Sequence, residues 1–265
     1  MKDASDFLYN VQPHDVPDPS MLTAAETFVK MLSEFPSPPA IFNPWRDKDE
    51  EHERPGDMAS IRRRHLVHYL ALRLSRAKMV WIGEALGYRG GHFSGVFFSS
   101  ERMLLGYHPS MTPEAIIAGK GVRTSRPDLP LIPGKITHTV QKQGFAEVSA
   151  TLVWRAVFDN HLAPHDVLFF SALPFHPYDP KGGYLSNRPP KKSEIVQTLP
   201  LLDTFLKLID TISTIRVKRI AIGRVAEHAL KTLGYTYARV PHPAQGHANR
   251  FLKGMQDVIR DQSFQ

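Results

Sequence analysis

Two rhythms of apolar residues alternate along the chain: helical spacing in some segments, short unbroken apolar runs in others. Leu22, Ala25, Val29 and Leu32 share one face of a helix that Asp18-Pro19-Ser20 would start and the proline-rich stretch 35–40 would end. Asp57 is placed to cap a second helix, with Ile61, Leu66, Tyr69 and Leu70 inward and Arg62, Arg63 and Arg64 mostly outward as a solvated run. Residues 78–83 (KMVWIG) form a buried strand running straight into a glycine-rich loop over 84–95, after which Ser99 or Ser100 would cap a short helix. Residues 107–145 carry Pro, Gly and Thr without clear periodicity and predict a long excursion, lying over a pocket or packed outside. A helix follows over 146–161, with Val148, Leu152, Ala156 and Val157 as its apolar stripe. Next come a strand over 166–171 (DVLFFS), a loop over 172–192 and a helix from Ser193-Glu194. Strands over 217–223 and 235–240 enclose a helix over 224–233, and a last helix covers about 247–260.

Strands alternating with helices predict an α/β fold: three αβα layers around a central four-stranded, mainly parallel sheet. The expected division is an irregular arm over 1–19 and one α/β domain over 20–265. In such sheets ligands bind beyond the carboxyl ends of the strands. Those ends carry Glu84, Ser171 with the loop Pro174-Phe175-His176-Pro177, Gly223-Arg224 and Pro241-His242-Pro243, so a carboxylate and a histidine should meet on one rim.

Composition narrows the chemistry. The 265 residues are 42% hydrophobic and hold no cysteine, which excludes disulfides, a cysteine nucleophile and cysteine-held zinc or iron–sulfur clusters. No apolar run reaches the ~18–20 residues of a membrane span, and residues 1–10 lack a signal-peptide core, so a cytoplasmic protein with no membrane partner is expected. The net charge of +7 suits a polyanionic partner. His65 with His68 and His161 with His165 have metal-compatible spacing, but pairs of this kind on helix faces are usually solvated, and no metal is expected. Gly83-Glu84-Ala85-Leu86-Gly87-Tyr88-Arg89-Gly90-Gly91 lacks the Lys-Ser/Thr of a phosphate-binding Walker loop and the spacing of a dinucleotide loop. A tight turn explains the glycines but leaves Glu84 without a task.

Gly83-Glu84-Ala85-Leu86-Gly87 is similar to the Gly-Glu-Ala-Pro-Gly motif of the uracil-DNA glycosylase superfamily, and residues 93–101, with Phe97-Phe98, resemble its Gly-x-Pro-Phe segment. Leu173-Pro174-Phe175-His176-Pro177 with Leu185-Ser186-Asn187-Arg188 looks like the second-strand loop of bacterial members. Gly223-Arg224 followed by His242-Pro243-Ala244 looks like the closing His-Pro-Ser motif. The resemblance runs in family order from about Asn43 to Phe251.

The resemblance implies a monofunctional DNA glycosylase that needs no cofactor and no obligate protein partner, its partner being DNA with a modified or damaged base. Glu84 would activate water and stabilise the cationic sugar, and His242 would donate a hydrogen bond to the departing base. Phe98 would stack on that base, with Ser171, Leu86 and Phe97 around it. Backbone amides of the glycine loop and of Ala244, Gln245 and Gly246 would grip phosphates, Gln245 could fill the gap in the duplex, and Arg89, Asn187, Arg188 and Arg250 would add phosphate contacts. Ser171 stands where relatives carry a base-reading Asn, Leu86 and Phe97 each replace a proline, and Ala244 replaces a serine. Loss of a bidentate amide removes about 1–3 kcal/mol of base discrimination, so uracil is not the expected substrate. The superfamily includes members acting on deaminated purines and an antiphage type that removes glucosylated hydroxymethylcytosine. A cysteine-free chain with a re-cut pocket is compatible with the latter. Uracil or hypoxanthine excision in repair, and a DNA-binding relative without turnover, are the alternatives.

Overall fold

The computed structural model describes residues 17–261 apart from Ala118 and Gln245; most of the arm expected over 1–19 lies outside them. Helix α1 (Pro19–Glu34) starts where Asp18 accepts the Ser20 amide, and it packs on α2 (Met58–Ala71), capped in the same way by Asp57. The central sheet is built from β2 (Met79–Ala85), β3 (Val167–Leu173), β5 (Lys218–Ile222) and β6 (Ala238–Val240), in the order β3-β2-β5-β6, with every pairing parallel. Trp81 of β2 lies level with Phe169 of β3 and Ile220 of β5, and all three are buried. Parallel strands covered on both faces are continuously apolar, which is why the short runs were legible.

Helices flank this sheet. Helix α7 (Lys192–Ile212) packs on β3, α8 (Arg224–Thr232) on β2 and β5, and α9 (Ala248–Arg260) on β6 and on α6 (Val148–Asp159). The inward face of α6 is Ala150, Val153, Trp154, Ala156 and Val157; Val148, placed in the stripe by sequence, is 70% exposed because the helix only begins there. A small antiparallel pair, β1 (Ile41–Phe42) with β4 (His176–Pro177), has strands too short to show a period in the sequence. No described helix is long and apolar enough to cross a membrane.

The excursion over 107–145 holds one turn of 3-10 helix at Pro113–Ala115 and the short α5 (His138–Gln143). Its Leu129, Ile136 and Val140 join Tyr88, Phe93 and Phe145 in a second small core beside the glycine loop. Buried Arg73 pins its first part, donating to the carbonyls of Ala115 (2.6 Å) and Ile116 (2.7 Å). The run Arg62–Arg64 is not a solvated face throughout. Arg62 is fully buried, donating to Glu53 and to the carbonyls of Pro44 and Asp47, while Arg64 is exposed.

Candidate active site

The carboxyl ends of β2, β3 and β6 open on a cavity of about 510 Å³, within the range of small-molecule sites. Its walls bring together Glu84, Ser171 and His242 from the strand ends with Leu86 and Phe98 from the resemblance, whereas Gly223 and Arg224 at the end of β5 are not in its lining. Gly83 pairs with Ser171 across the β2–β3 ladder. A Cβ on Gly83 would lie 2.5 Å from the Phe98 ring and 3.5 Å from the Ser171 hydroxyl, so the missing side chain lets the ring lie against the strand. Phe98 holds a left-handed backbone (φ 45°), a conformation that costs an apolar residue on the order of 1–3 kcal/mol and persists only where neighbours enforce it. The enforcing contacts are the Trp154 indole, which donates to the Phe98 carbonyl (2.9 Å), and Phe169, set edge-on to the ring.

That turn separates two adjacent phenylalanines. Phe97, expected beside the base, is fully buried against Trp45 and Phe170 and belongs to the core beneath the cavity.

Glu84 sits in β2, one residue before its end, and its half-buried carboxyl has no hydrogen-bond or ion-pair partner among the described residues. Burial pushes its pKa up, and when it ionises no cation among the described residues neutralises it. His242 packs over Gly223, where a Cβ would be 3.2 Å from its own. The Ala244 amide donates to His242 Nδ1 (3.2 Å), which leaves the ring proton on Nε2. Burial lowers the pKa of His242, so the ring is a neutral donor.

The loop glycines serve close packing. A Cβ on Gly91 would strike Leu86 (2.6 Å), and one on Gly90 would overlap the Glu147 carboxyl. The amides expected to grip phosphate are largely engaged. Tyr88 N–H donates to Asn187 Oδ1 (3.0 Å), Gly90 and His92 to Gly87 O, Phe93 to Gly90 O, and Ala244 to His242.

The expected cationic phosphate contacts are also committed elsewhere. Arg188 lines the cavity but forms a two-pronged pair with Glu194 (2.7 and 2.9 Å), and Arg89 is held by the Tyr88 hydroxyl and the Gly134 carbonyl. Asn187 lines the cavity itself, and Ala244 is at its rim. Gly246 and Arg250 are exposed outside the cavity wall, and Gln245 lies outside the described residues. His65, considered as a metal ligand, has Nδ1 on the Ser94 carbonyl and Nε2 on the Val122 amide, so both ring nitrogens are occupied by the backbone.

Sequence reasoning missed the polar cavity residues Glu147, Ser149 and His247. It also missed a buried chain behind the Asn187 loop. His176, expected on the rim, is fully buried there. Asp49 accepts from His52 Nδ1 (2.9 Å) and His92 Nε2 (3.1 Å), His92 Nδ1 meets His176 Nδ1 (3.0 Å), and His176 Nε2 meets the Ser186 carbonyl (2.8 Å). Burial opposes ionisation of Asp49, but the hydrogen bonds from His52 and His92 outweigh it and hold the carboxyl well below the carboxylate range.

Burial, the largest cause, lowers the pKa of His92 to about 4 even with Asp49 beside it and that of His176 to about 3, which favours neutral rings. The geometry demands more protons than that. Hydrogen bonds at all three contacts need one N–H toward Asp49, one between the rings and one toward Ser186, and a pair that makes all three carries one imidazolium charge opposite Asp49. Ring ¹⁵N NMR at pH 7 is expected to find three N–H protons on these two rings; two would mean a bare Nδ1···Nδ1 contact and refute the charge.

No protein-family model matches the sequence, and no curated protein sequence does. Among solved structures, the crystal structure of wild-type SMUG2 from Pedobacter heparinus superposes with a TM-score of 0.56 over 91% of this chain and 99% of its own, at 14% identity. The chain has a uracil-DNA glycosylase-like fold, with its four-stranded parallel sheet flanked by helices.

Proposed function

We propose that the chain is a cytoplasmic monofunctional DNA glycosylase, which extrudes a modified base into the cavity and hydrolyses its N-glycosidic bond, leaving an abasic site. The observation that carries this reading is the convergence on one cavity, with the Phe98 ring, of the Glu84 carboxyl, which has no partner among the described residues, and a neutral histidine whose Nε2–H is fixed by backbone. The extruded base stacks on Phe98. As the bond from C1′ to the base nitrogen breaks, the electron pair leaves with the base, and His242 Nε2–H stabilises the resulting anion. Positive charge grows on the sugar, opposite the Glu84 carboxylate. Water adds to C1′ and gives its proton to Glu84.

Among substrates, glucosylated hydroxymethylcytosine in viral DNA is preferred, which would make the activity antiviral. Ser171 is small and its hydroxyl has no protein partner among the described residues, which leaves room for a bulky base. One observation favours the second reading, uracil or hypoxanthine excision: the Asn187 amide lines the same cavity and could replace the amide absent at Ser171. The deciding experiment incubates the protein with DNAs carrying uracil, hypoxanthine, hydroxymethylcytosine or its glucosylated form, beside unmodified DNA, and identifies the released base by mass spectrometry. Release of none of them, with tight binding retained, would support a DNA-binding relative without turnover.

His242→Leu is expected to slow base release by about 10²–10³-fold, as for removal of one preorganised donor. A loss in single-turnover rate below about threefold would show that the base departs without help from this ring.

A further inference from the structure

Glu147 and Asn187, cavity residues outside the proposed chemistry, lie side by side at Gly87. Gly87 lies four residues beyond Gly83 along the chain. A Cβ there would lie 3.4 Å from both Asn187 Oδ1 and Glu147 Oε1, whereas the one at Gly83 would meet Phe98 and Ser171. The cavity therefore has two stations: an aromatic one at Phe98 and Ser171, and a polar one at Glu147, Ser149 and Asn187.

Glu147 is the unusual member. It occupies the N-cap position of the twelve-residue α6, yet its side chain makes no capping bond and lines the cavity instead. Two other carboxyls show the contrast. Glu101 accepts from the Thr124 and Ser125 amides and the Ser125 hydroxyl, and Glu194 pairs with Arg188. Glu147 has only the Ser149 hydroxyl, and no cation faces it among the described residues. Gly90 lacks the side chain that would exclude it.

We propose that Glu147, with Ser149 and Asn187, receives the hydroxyl groups of a substituent carried by the extruded base, and that Glu147 is a specificity-determining residue. This rests on the glycosylase reading above. A hydroxyl both donates and accepts, and a carboxyl, a second hydroxyl and a primary amide supply both partners. Burial pushes the Glu147 pKa up to about 7, so both acceptor-only and donor-bearing forms occur near neutral pH. A bare base on Phe98 would leave this station desolvated and unpaired, which disfavours unsubstituted substrates. The substrate class is thus a nucleobase with a hydroxylated side group, a hexose being one such group. The station binds the substituent and takes no part in bond cleavage.

The test compares single-turnover release from otherwise identical oligonucleotides carrying glucosylated hydroxymethylcytosine or hydroxymethylcytosine, for wild type, Glu147→Gln and Glu147→Ala. Binding of the same DNAs is measured in a Glu84→Gln background. The inference expects a wild-type preference for the glucosylated base, reduced about tenfold to a hundredfold by Glu147→Ala through substrate affinity rather than maximal rate, and less by Glu147→Gln. Equal losses on both DNAs in Glu147→Gln, which preserves side-chain shape, would make the residue structural or catalytic and overturn the inference. Wild-type release of hydroxymethylcytosine in preference to its glucosylated form would overturn it while leaving the glycosylase reading intact. Absence of release from either DNA and of any binding preference would overturn the inference, and release of no base from the wider panel above would overturn the glycosylase reading as well.

Discussion

Glu84→Gln is expected to lower the rate of base release by about 10³-fold while making the folded protein more stable at pH 8. The two effects share one cause. An amide keeps the shape of the side chain but cannot accept a proton from water or face a cationic sugar with negative charge, and such groups contribute about 10²–10⁴ in rate. In the folded chain burial raises the Glu84 pKa, and no cation compensates it among the described residues. A raised carboxyl pKa contributes stability below the unfolded value and loses it as pH rises through the folded one. Wild type therefore carries a destabilising anion at pH 8 that the variant lacks, and the difference should vanish below the ordinary glutamate pKa of about 4.3. Wild-type activity should run the other way, falling as pH drops through the raised value. Denaturation midpoints at pH 4 and pH 8, beside single-turnover rates, test both halves. DNA binding should tighten in the variant, because a negative charge facing phosphates is gone. Equal stability at pH 8 with rate retained within tenfold would mean that Glu84 is solvated and idle.

The residues legible in the sequence were those fixed by the ends of buried strands. Glu84 and His242 follow unbroken apolar runs, and the parallel topology carries them to one rim. Adjacent aromatics were not separable, because the left-handed turn at Phe98 sends its ring to the cavity and leaves Phe97 in the core. Charge was legible but pairing was not. Arg89 and Arg188 read as free cations, yet their partners are Tyr88, Gly134 and Glu194, and only folding reveals how these satisfy each guanidinium. Glu147 was invisible for a related reason. Its access to the cavity depends on a missing Cβ at Gly90, in a loop that precedes it by a whole excursion of the chain.

Arg62 is the sharpest such case, and its replacement by Met is expected to destabilise the fold by about 3–5 kcal/mol, the cost of stranding one partner of a buried ion pair. The stranded partner is Glu53, 3% exposed, whose pKa burial already raises to about 6 despite the arginine beside it. Without Arg62 that pKa rises further and Glu53 folds protonated. The penalty should therefore be smaller at pH 5 than at pH 8, growing as pH climbs through the wild-type value. Adding Glu53→Leu should restore most of the loss, since an apolar pair tolerates burial where a lone carboxylate does not. The damage would also reach the cavity. The side chain holds the Pro44 and Asp47 carbonyls, the Trp45 indole between them donates to the Gly95 carbonyl (3.0 Å), and Gly95 (φ 71°) lies so close to the Arg62 backbone that a Cβ there would clash at 2.8 Å. Gly95 opens the turn that delivers Phe98. Base release by Arg62→Met should thus decline at temperatures where circular dichroism still reports a folded chain. Urea titrations at the two pH values decide the energetic claim. A loss below about 1 kcal/mol at pH 8 would mean that Glu53 escapes to water, leaving the loop, not the ion pair, as what Arg62 supports.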